Sequence, residues 1–192
     1  MNSNSITQVN DQSLRDYYSL RACTYEEVYM KPERQSEIIL LQTEVMERLK
    51  DHAILEVACG TGYWTQFFSQ TASFVKAIDQ SQETLKIAQA KIYPRDNVNF
   101  EIADAYKLEN IIGKYTAGFA GFWWSHIPKN RIQSFLVQFH SKLEKESTVL
   151  FIDNKFVEGS NHPITEVDQE GNTYQTRLLR DGTLHKVLKN FP

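Results

Sequence analysis

From Ser13 onward the chain carries apolar and aromatic positions at helical spacing. Leu14, Tyr18, Arg21, Tyr25 and Val28 share one stripe, with Ser13 placed as an N-cap and Pro32 as the stop. A second stripe of Ile38, Leu41, Val45 and Leu49 predicts a helix over about Glu33–Lys50, closed by basic residues suited to a helix C-terminus. The pattern then changes. Ile54–Val57 is a short apolar run, broken by Gly60 and Gly62, and apolar residues resume at helical spacing through Phe68, which reads as strand, glycine turn, helix. Phe74–Asp79 predicts a second strand, Gln82–Tyr93 a helix stopped by Pro94, and Val98–Ile102 a third strand. Beyond a less regular segment with Leu108, Ile111 and Ile112, Thr116–Trp124 predicts a fourth strand, Asn130–Leu143 a helix and Thr148–Ile152 a fifth strand.

Strands that alternate with helices must be joined by crossovers. The expected fold is therefore α/β, a doubly wound, mostly parallel sheet preceded by two helices. Right-handed crossovers place the strand C-terminal ends on one edge, where ligands bind. After Asn161 the character shifts: Thr173–Arg180 and Thr183–Leu188 flank Asp181-Gly182, a hairpin signal.

Composition bounds the possibilities. With 192 residues, 41% hydrophobic and 23% charged, the chain fits one domain with a sizeable core. Residues 1–13 are polar and expected to be flexible, leaving 14–192 as the single domain. No signal peptide and no membrane-length apolar run is visible, so a soluble cytoplasmic protein is expected. A net charge of −3, with Lys and Arg scattered along the chain, argues against a nucleic-acid partner. Cys23 and Cys59 lie far apart and the five histidines form no ligand pair, so neither a disulfide framework nor a metal site is expected.

The chemistry concentrates at the glycine turn. A dinucleotide fingerprint would need a third glycine where Thr65 stands, and a phosphate-binding P-loop would need a Gly-Lys-Ser/Thr that is missing. Glu56 at the end of the first strand suits a cationic ligand and repels a pyrophosphate; its alternative is a solvated or capping acid. Asp79 ends the second strand, where an acid can accept both hydroxyls of a ribose; the alternative makes Asp79 or Ser81 a helix N-cap.

The order Glu56-x-Ala58-x-Gly60-x-Gly62 resembles the first motif of the class I S-adenosylmethionine-dependent methyltransferases, with Ala58 replacing the first glycine. The resemblance spans about Tyr17 to Asn190 and implies S-adenosyl-L-methionine as cofactor. It implies cofactor contacts from Glu56, Ala58, Gly60, Gly62, Asp79 and the neighbouring Gln80, and from Asp104 and Ala105 after the third strand, Asp104 accepting from the adenine amino group. It also implies an N-terminal helical lid over 14–50, with Tyr18, Arg21 and Tyr25 toward the cofactor, a cofactor-binding core over 53–157 and a hairpin extension over 160–192. In that family the sheet has seven strands, so the final antiparallel strand pair is expected to be missing or truncated here, and the exposed edge would favour a homodimer.

Strand four lacks the Asp/Asn/Ser-Pro-Pro-aromatic motif of nucleic-acid amino-methyltransferases, which favours a small-molecule methyl acceptor, taken at O or N. Trp123 and Trp124, expected on opposite faces of the strand, are candidates for lining the acceptor pocket, or else plain core. His126 follows as the candidate general base, although methyl transfer to an already ionised acceptor needs none. Asp153 is expected to line the pocket or cap a loop, because the second carboxylate of a divalent-metal site is missing at strand four. Cys59, despite its place at a helix start, reads as a packing residue. Two other readings stand beside this one: a cofactor-binding or partner protein without turnover, and an NAD-dependent reductase in which Thr65 would replace the third glycine.

Overall fold

The computed structural model describes residues 11–159 and 161–192. The expected flexible segment 1–13 lies outside them except for its last three residues, which belong to the first helix. That helix, α1 (Asp11–Arg21), passes into a 3-10 helix, Ala22–Tyr29, and a second long helix, α2 (Gln35–Arg48), follows a short 3-10 turn at Pro32–Arg34. The single helix expected to run from Ser13 to Pro32 is thus two segments of different winding, and Ser13 lies inside the first rather than capping it.

Five strands then form the parallel sheet: β1 (Ala53–Val57), β2 (Phe74–Asp79), β3 (Val98–Ile102), β4 (Tyr115–Gly121) and β5 (Leu143–Ile152), in spatial order β3-β2-β1-β4-β5. Between them lie α3 (Thr65–Phe68), α4 (Gln82–Gln89) and α5 (Ile132–Ser141). A separate antiparallel sheet of β6 (Glu166–Val167), β7 (Thr173–Leu178) and β8 (Leu184–Leu188) follows, so the Asp181-Gly182 hairpin forms as predicted and gains a third strand. Among the described residues no strand pairs with the outer edge of β5.

Central strand β1 shows why its sequence is nearly continuous in apolar residues: Ile54, Leu55 and Val57 are wholly buried, since helices cover both faces. Alternation sorts them. Ile54 joins Val75, Ala77, Phe119, Phe68, the α2 residues Ile38 and Val45, and Leu49 just past that helix, on one side. Leu55 and Val57 join Ile78, Ala120, Phe135 and Phe139 on the other. Where α5 crosses β4, Gly118 admits the Phe139 ring, which would lie 2.5 Å from a Cβ added there. Gly118→Ala is therefore expected to cost about 1–3 kcal/mol, read as a lower urea midpoint with an unchanged slope.

One expectation about β4 fails. The strand ends at Gly121 because Phe122 takes a left-handed backbone (φ 57°), and Trp124–His126 form a 3-10 turn. Trp123 and Trp124 therefore do not alternate across a strand: Trp123 packs on Phe135 and Tyr106, and Trp124 on Phe151. Aromatic composition extended the predicted strand past a backbone reversal that the residue type does not announce.

Candidate active site

The C-terminal ends of β1 to β4 meet where the strand order changes direction, and a cavity of about 110 Å³ opens there. Each of these strands delivers part of its wall: Ala58 and Gly60 past β1, Asp79 at the end of β2 with Gln80 and Ser81 beyond it, Ala103, Ala105 and Tyr106 past β3, and Gly121 at the end of β4 with Phe122 and Trp123 beyond it. Tyr18 of α1 and Tyr25 of the following 3-10 helix close it from above.

Three residues of the turn, Ala58, Gly60 and Gly62, take positive φ (52°, 55° and 72°). The two glycines then differ. A Cβ on Gly60 would meet nothing within 4 Å, so the backbone stands open to the cavity. A Cβ on Gly62 would lie 2.8 Å from the Tyr93 hydroxyl and 3.0 Å from the Ala88 methyl, so Gly62 serves the packing of α4 and is not part of the wall. Ala58 carries a side chain where glycine is favoured, at a cost of roughly 1–2 kcal/mol, partly offset by the greater chain entropy that glycine would lose. Ala58→Gly is expected to raise stability by up to about 1 kcal/mol, seen as a melting temperature higher by roughly 2–4 °C.

Asp79 ties two loops together. Its Oδ2 accepts from the Gly60 N–H at 2.8 Å, and its Oδ1 accepts from the Ser81 N–H at 2.8 Å and the Thr84 hydroxyl at 3.2 Å. Burial raises its pKa, against which these donors stabilise the ionised form. The Gln80 backbone N–H adds to these donors, so the carboxylate is held in place at the cavity wall. Ser81 caps α4 by accepting from the Thr84 N–H, so the two alternatives for this turn hold together.

Other sequence-predicted residues fall elsewhere. Glu56 lies beneath the turn, 2% exposed and outside the cavity wall, accepting from the Thr65 hydroxyl at 2.6 Å. Burial pushes its carboxyl up to about 8. Asp104 accepts from the Tyr106 N–H at 2.9 Å and so shapes the loop whose Ala103, Ala105 and Tyr106 reach the wall. Trp124 also lies outside the wall. Asp153 caps the β4 loop, accepting from the Ser125 N–H and hydroxyl at 2.8 and 2.9 Å, and its Oδ1 pairs with Lys189 Nζ at 3.1 Å. Cys59 is buried, and burial holds its thiol well above the ordinary range.

His126 is buried between two fixed partners. Its Nδ1 lies 2.6 Å from the Leu188 carbonyl oxygen, which can only accept, so Nδ1 carries the proton and Nε2 accepts from the Tyr18 hydroxyl at 2.8 Å. Burial, with the Lys189 and Arg177 charges, holds its pKa well below the usual value, so the ring is neutral. Burial likewise raises the Tyr18 phenol, which stays protonated as the donor.

Tyr18, Tyr25, Phe122 and His126 also line a second cavity, of about 320 Å³, between the N-terminal helices and the small sheet. Arg21 reaches this cavity and not the first. Its guanidinium donates to the Tyr17 hydroxyl at 3.1 Å and stands over the rings of Tyr17 and Tyr25. Sequence reasoning missed Phe122, Tyr106 and the whole second cavity. The signal for Tyr106 was its place two residues past Asp104, on the turn that follows β3.

Residues 54–146 match the methyltransferase domain family. The chain is 30% identical over 106 residues to a malonyl-[acyl-carrier protein] O-methyltransferase of Hamiltonella defensa subsp. Acyrthosiphon pisum (strain 5AT). That alignment covers 55% of this chain and 36% of the relative, so this chain spans little more than a third of the curated protein it matches. Among solved structures it is similar to the DhpI–SAH complex, with TM-score 0.73 and 28% identity over 94% of this chain and 79% of that one. For the DhpI–SAM–HEP complex the TM-score is 0.74, with 25% identity over 100% of this chain and 85% of that one.

Proposed function

We propose that this chain, a member of the class I S-adenosylmethionine-dependent methyltransferases, binds S-adenosylmethionine in the cavity beside Gly60 and methylates a small-molecule O or N acceptor. The observation that carries this reading is the open backbone at Gly60 with Asp79 bonded to its N–H, both on the cavity wall. A phosphate-free adenosyl ligand can lie against such a turn, and the Asp79 carboxyl on the wall suits a ribose hydroxyl. Gln80 and the Ala103–Tyr106 loop border the same space and would hold the adenine. The bound cofactor supplies a methyl group on a good leaving group, so the protein's part is to position the acceptor in line and to exclude water.

The residues above the cavity have that part. Tyr18 and Tyr25 cover it from the N-terminal helices, as a lid would. His126 holds Tyr18 by accepting its proton-bearing hydroxyl and is itself held by Leu188 of β8, so we assign it a positioning role in place of the general base expected from sequence. Phe122, strained at φ 57°, presents its ring at the junction of the two cavities.

Calorimetry with S-adenosylhomocysteine tests the reading. The wild-type protein is expected to bind it with saturable heat, and Asp79→Ala to weaken binding about a hundredfold or more, since the ribose contact and the fixed turn are lost together. No binding by a folded wild-type protein, or equal binding by the variant, would overturn it.

A further inference from the structure

The second cavity collects cations from four distant parts of the chain. Arg21 comes from the end of α1, Lys31 and Arg34 from the turn before α2, Arg177 from β7, and Lys189 from just past β8. Against them the wall carries one acid, Glu27, already paired with Arg180 at 2.8 Å. In a chain of net charge −3 this is a local reversal of sign.

The cations are not neutralised from within. Lys189 has Asp153, but among the described residues no carboxylate lies within ion-pair distance of Arg21, Lys31, Arg34 or Arg177. Arg177 is half-buried, and its guanidinium donates to neutral oxygens, the Gln175 Oε1 at 2.7 and 3.2 Å and the Tyr17 hydroxyl at 3.5 Å, with the Tyr18 phenol as a further neutral neighbour. Holding guanidinium groups partly out of water without a counter-charge is unfavourable unless an anion joins them, and their planar forks match an oxyacid in two-point contact.

The place of the cavity matters as much as its charge. It shares Tyr18, Tyr25, Phe122 and His126 with the cofactor cavity, so whatever it holds lies across those side chains from the methyl donor. At that junction the His126 lone pair is occupied by Tyr18, and Tyr18 is held as a donor, so neither of the two removes a proton from an acceptor.

Resting on the methyltransferase reading, we propose that the second cavity is the acceptor site and that it takes a small oxyacid, a carboxylate or a phosphonate-type acid, anchored by Arg177, Arg21 and Arg34. An ionised oxygen of that acid is the nucleophile. Its lone pair forms the new C–O bond while the electron pair of the S–C bond passes to sulfur. The product is a methyl ester, the sulfonium becomes a neutral thioether, and no proton moves. Such a transfer needs no general base, in keeping with the engaged His126–Tyr18 pair beside the methyl donor.

Succinate and methylphosphonate probe the two acid types, and succinamide and 1,4-diaminobutane are their neutral and cationic counterparts. Each is titrated by calorimetry into the cofactor-free protein and into the protein saturated with S-adenosylhomocysteine. At least one acid is expected to bind saturably, succinamide and the diamine not at all. Arg177→Gln and Arg34→Gln should each weaken acid binding about tenfold or more while leaving S-adenosylhomocysteine affinity unchanged, and Arg48→Gln on the outer face of α2 should change neither. Which of the two acids binds identifies the acid type. The inference is overturned if S-adenosylhomocysteine binds and neither acid does, if succinamide binds as tightly as succinate, or if both arginine variants bind acid like wild type. Failure of S-adenosylhomocysteine itself to bind strikes the methyltransferase reading instead, and the cofactor-free titration then still reports on the anion site.

Discussion

Asp153→Ala is expected to destabilise the protein by about 3–5 kcal/mol, a loss large enough to threaten the folded state of a typical domain. The side chains of Asp153 and Lys189 are 4% and 5% exposed, and Lys189 Nζ also contacts the Ser125 hydroxyl. Removing the carboxylate leaves a buried ammonium without its counter-charge and strips the Ser125 N–H of its acceptor. The same contact seals the small sheet onto the loop after β4, because Asn190 just beyond Lys189 donates to the Ser125 carbonyl at 2.7 Å. At roughly 2–4 °C per kcal/mol for a chain of this size, the melting temperature should fall by about 6–20 °C. Replacing both partners, Asp153→Leu with Lys189→Met, should recover much of the loss, because neither buried charge is then left alone. Calorimetric scans of the single and double variants measure this. A single variant as stable as wild type would show that the pair contributes nothing.

Glu56→Gln should abolish a pH dependence of stability that the wild type shows. Burial raises the Glu56 carboxyl from its ordinary 4.5 to about 8, so between those values the folded state binds a proton that the unfolded state releases. Stability tied to this group is fully present below about pH 4.5 and is lost as pH rises through about 8, with a slope of at most about 1.4 kcal/mol per pH unit. The amide stays neutral and can still accept from Thr65. Urea midpoints at pH 5 and pH 8.5 are therefore expected to diverge in the wild type and converge in Glu56→Gln, the variant being the more stable protein at the higher pH. Parallel pH profiles would place the proton on another group.

What the sequence disclosed and withheld follows from the range of each signal. β2 and β3 have the predicted limits because their apolar runs are short and bounded by residues that break the pattern, and β1 is off by one residue. β5 begins five residues before its predicted start, and α4 stops four residues before its own predicted end, since Ala90 onward turns away well ahead of Pro94. The glycine turn and Asp79 were legible because the chemistry and the backbone demand act on the same few consecutive residues. Tyr18 and Tyr25 were legible as a helical stripe and do reach the cavity, although a change from α to 3-10 winding separates them. Glu56 is set by the strand. It lies near the end of β1, and the alternation of that strand directs its side chain under the turn to Thr65, a depth that the residue type does not announce. The second cavity was beyond reach. Its cations are scattered from Arg21 to Lys189, and only the docking of the small sheet against the N-terminal helices gathers them into one wall.

A structure with S-adenosylhomocysteine bound tests the central claim most directly. The ribose hydroxyls are expected within hydrogen-bond distance of Asp79 Oδ2, with the backbone of Gly60 against the amino-acid portion. The sulfur is expected to face the junction formed by Tyr18, Phe122 and His126, with the Arg177 cavity beyond it. A ligand seated away from Gly60 and Asp79, or one whose sulfur faces away from that junction, would contradict the claim.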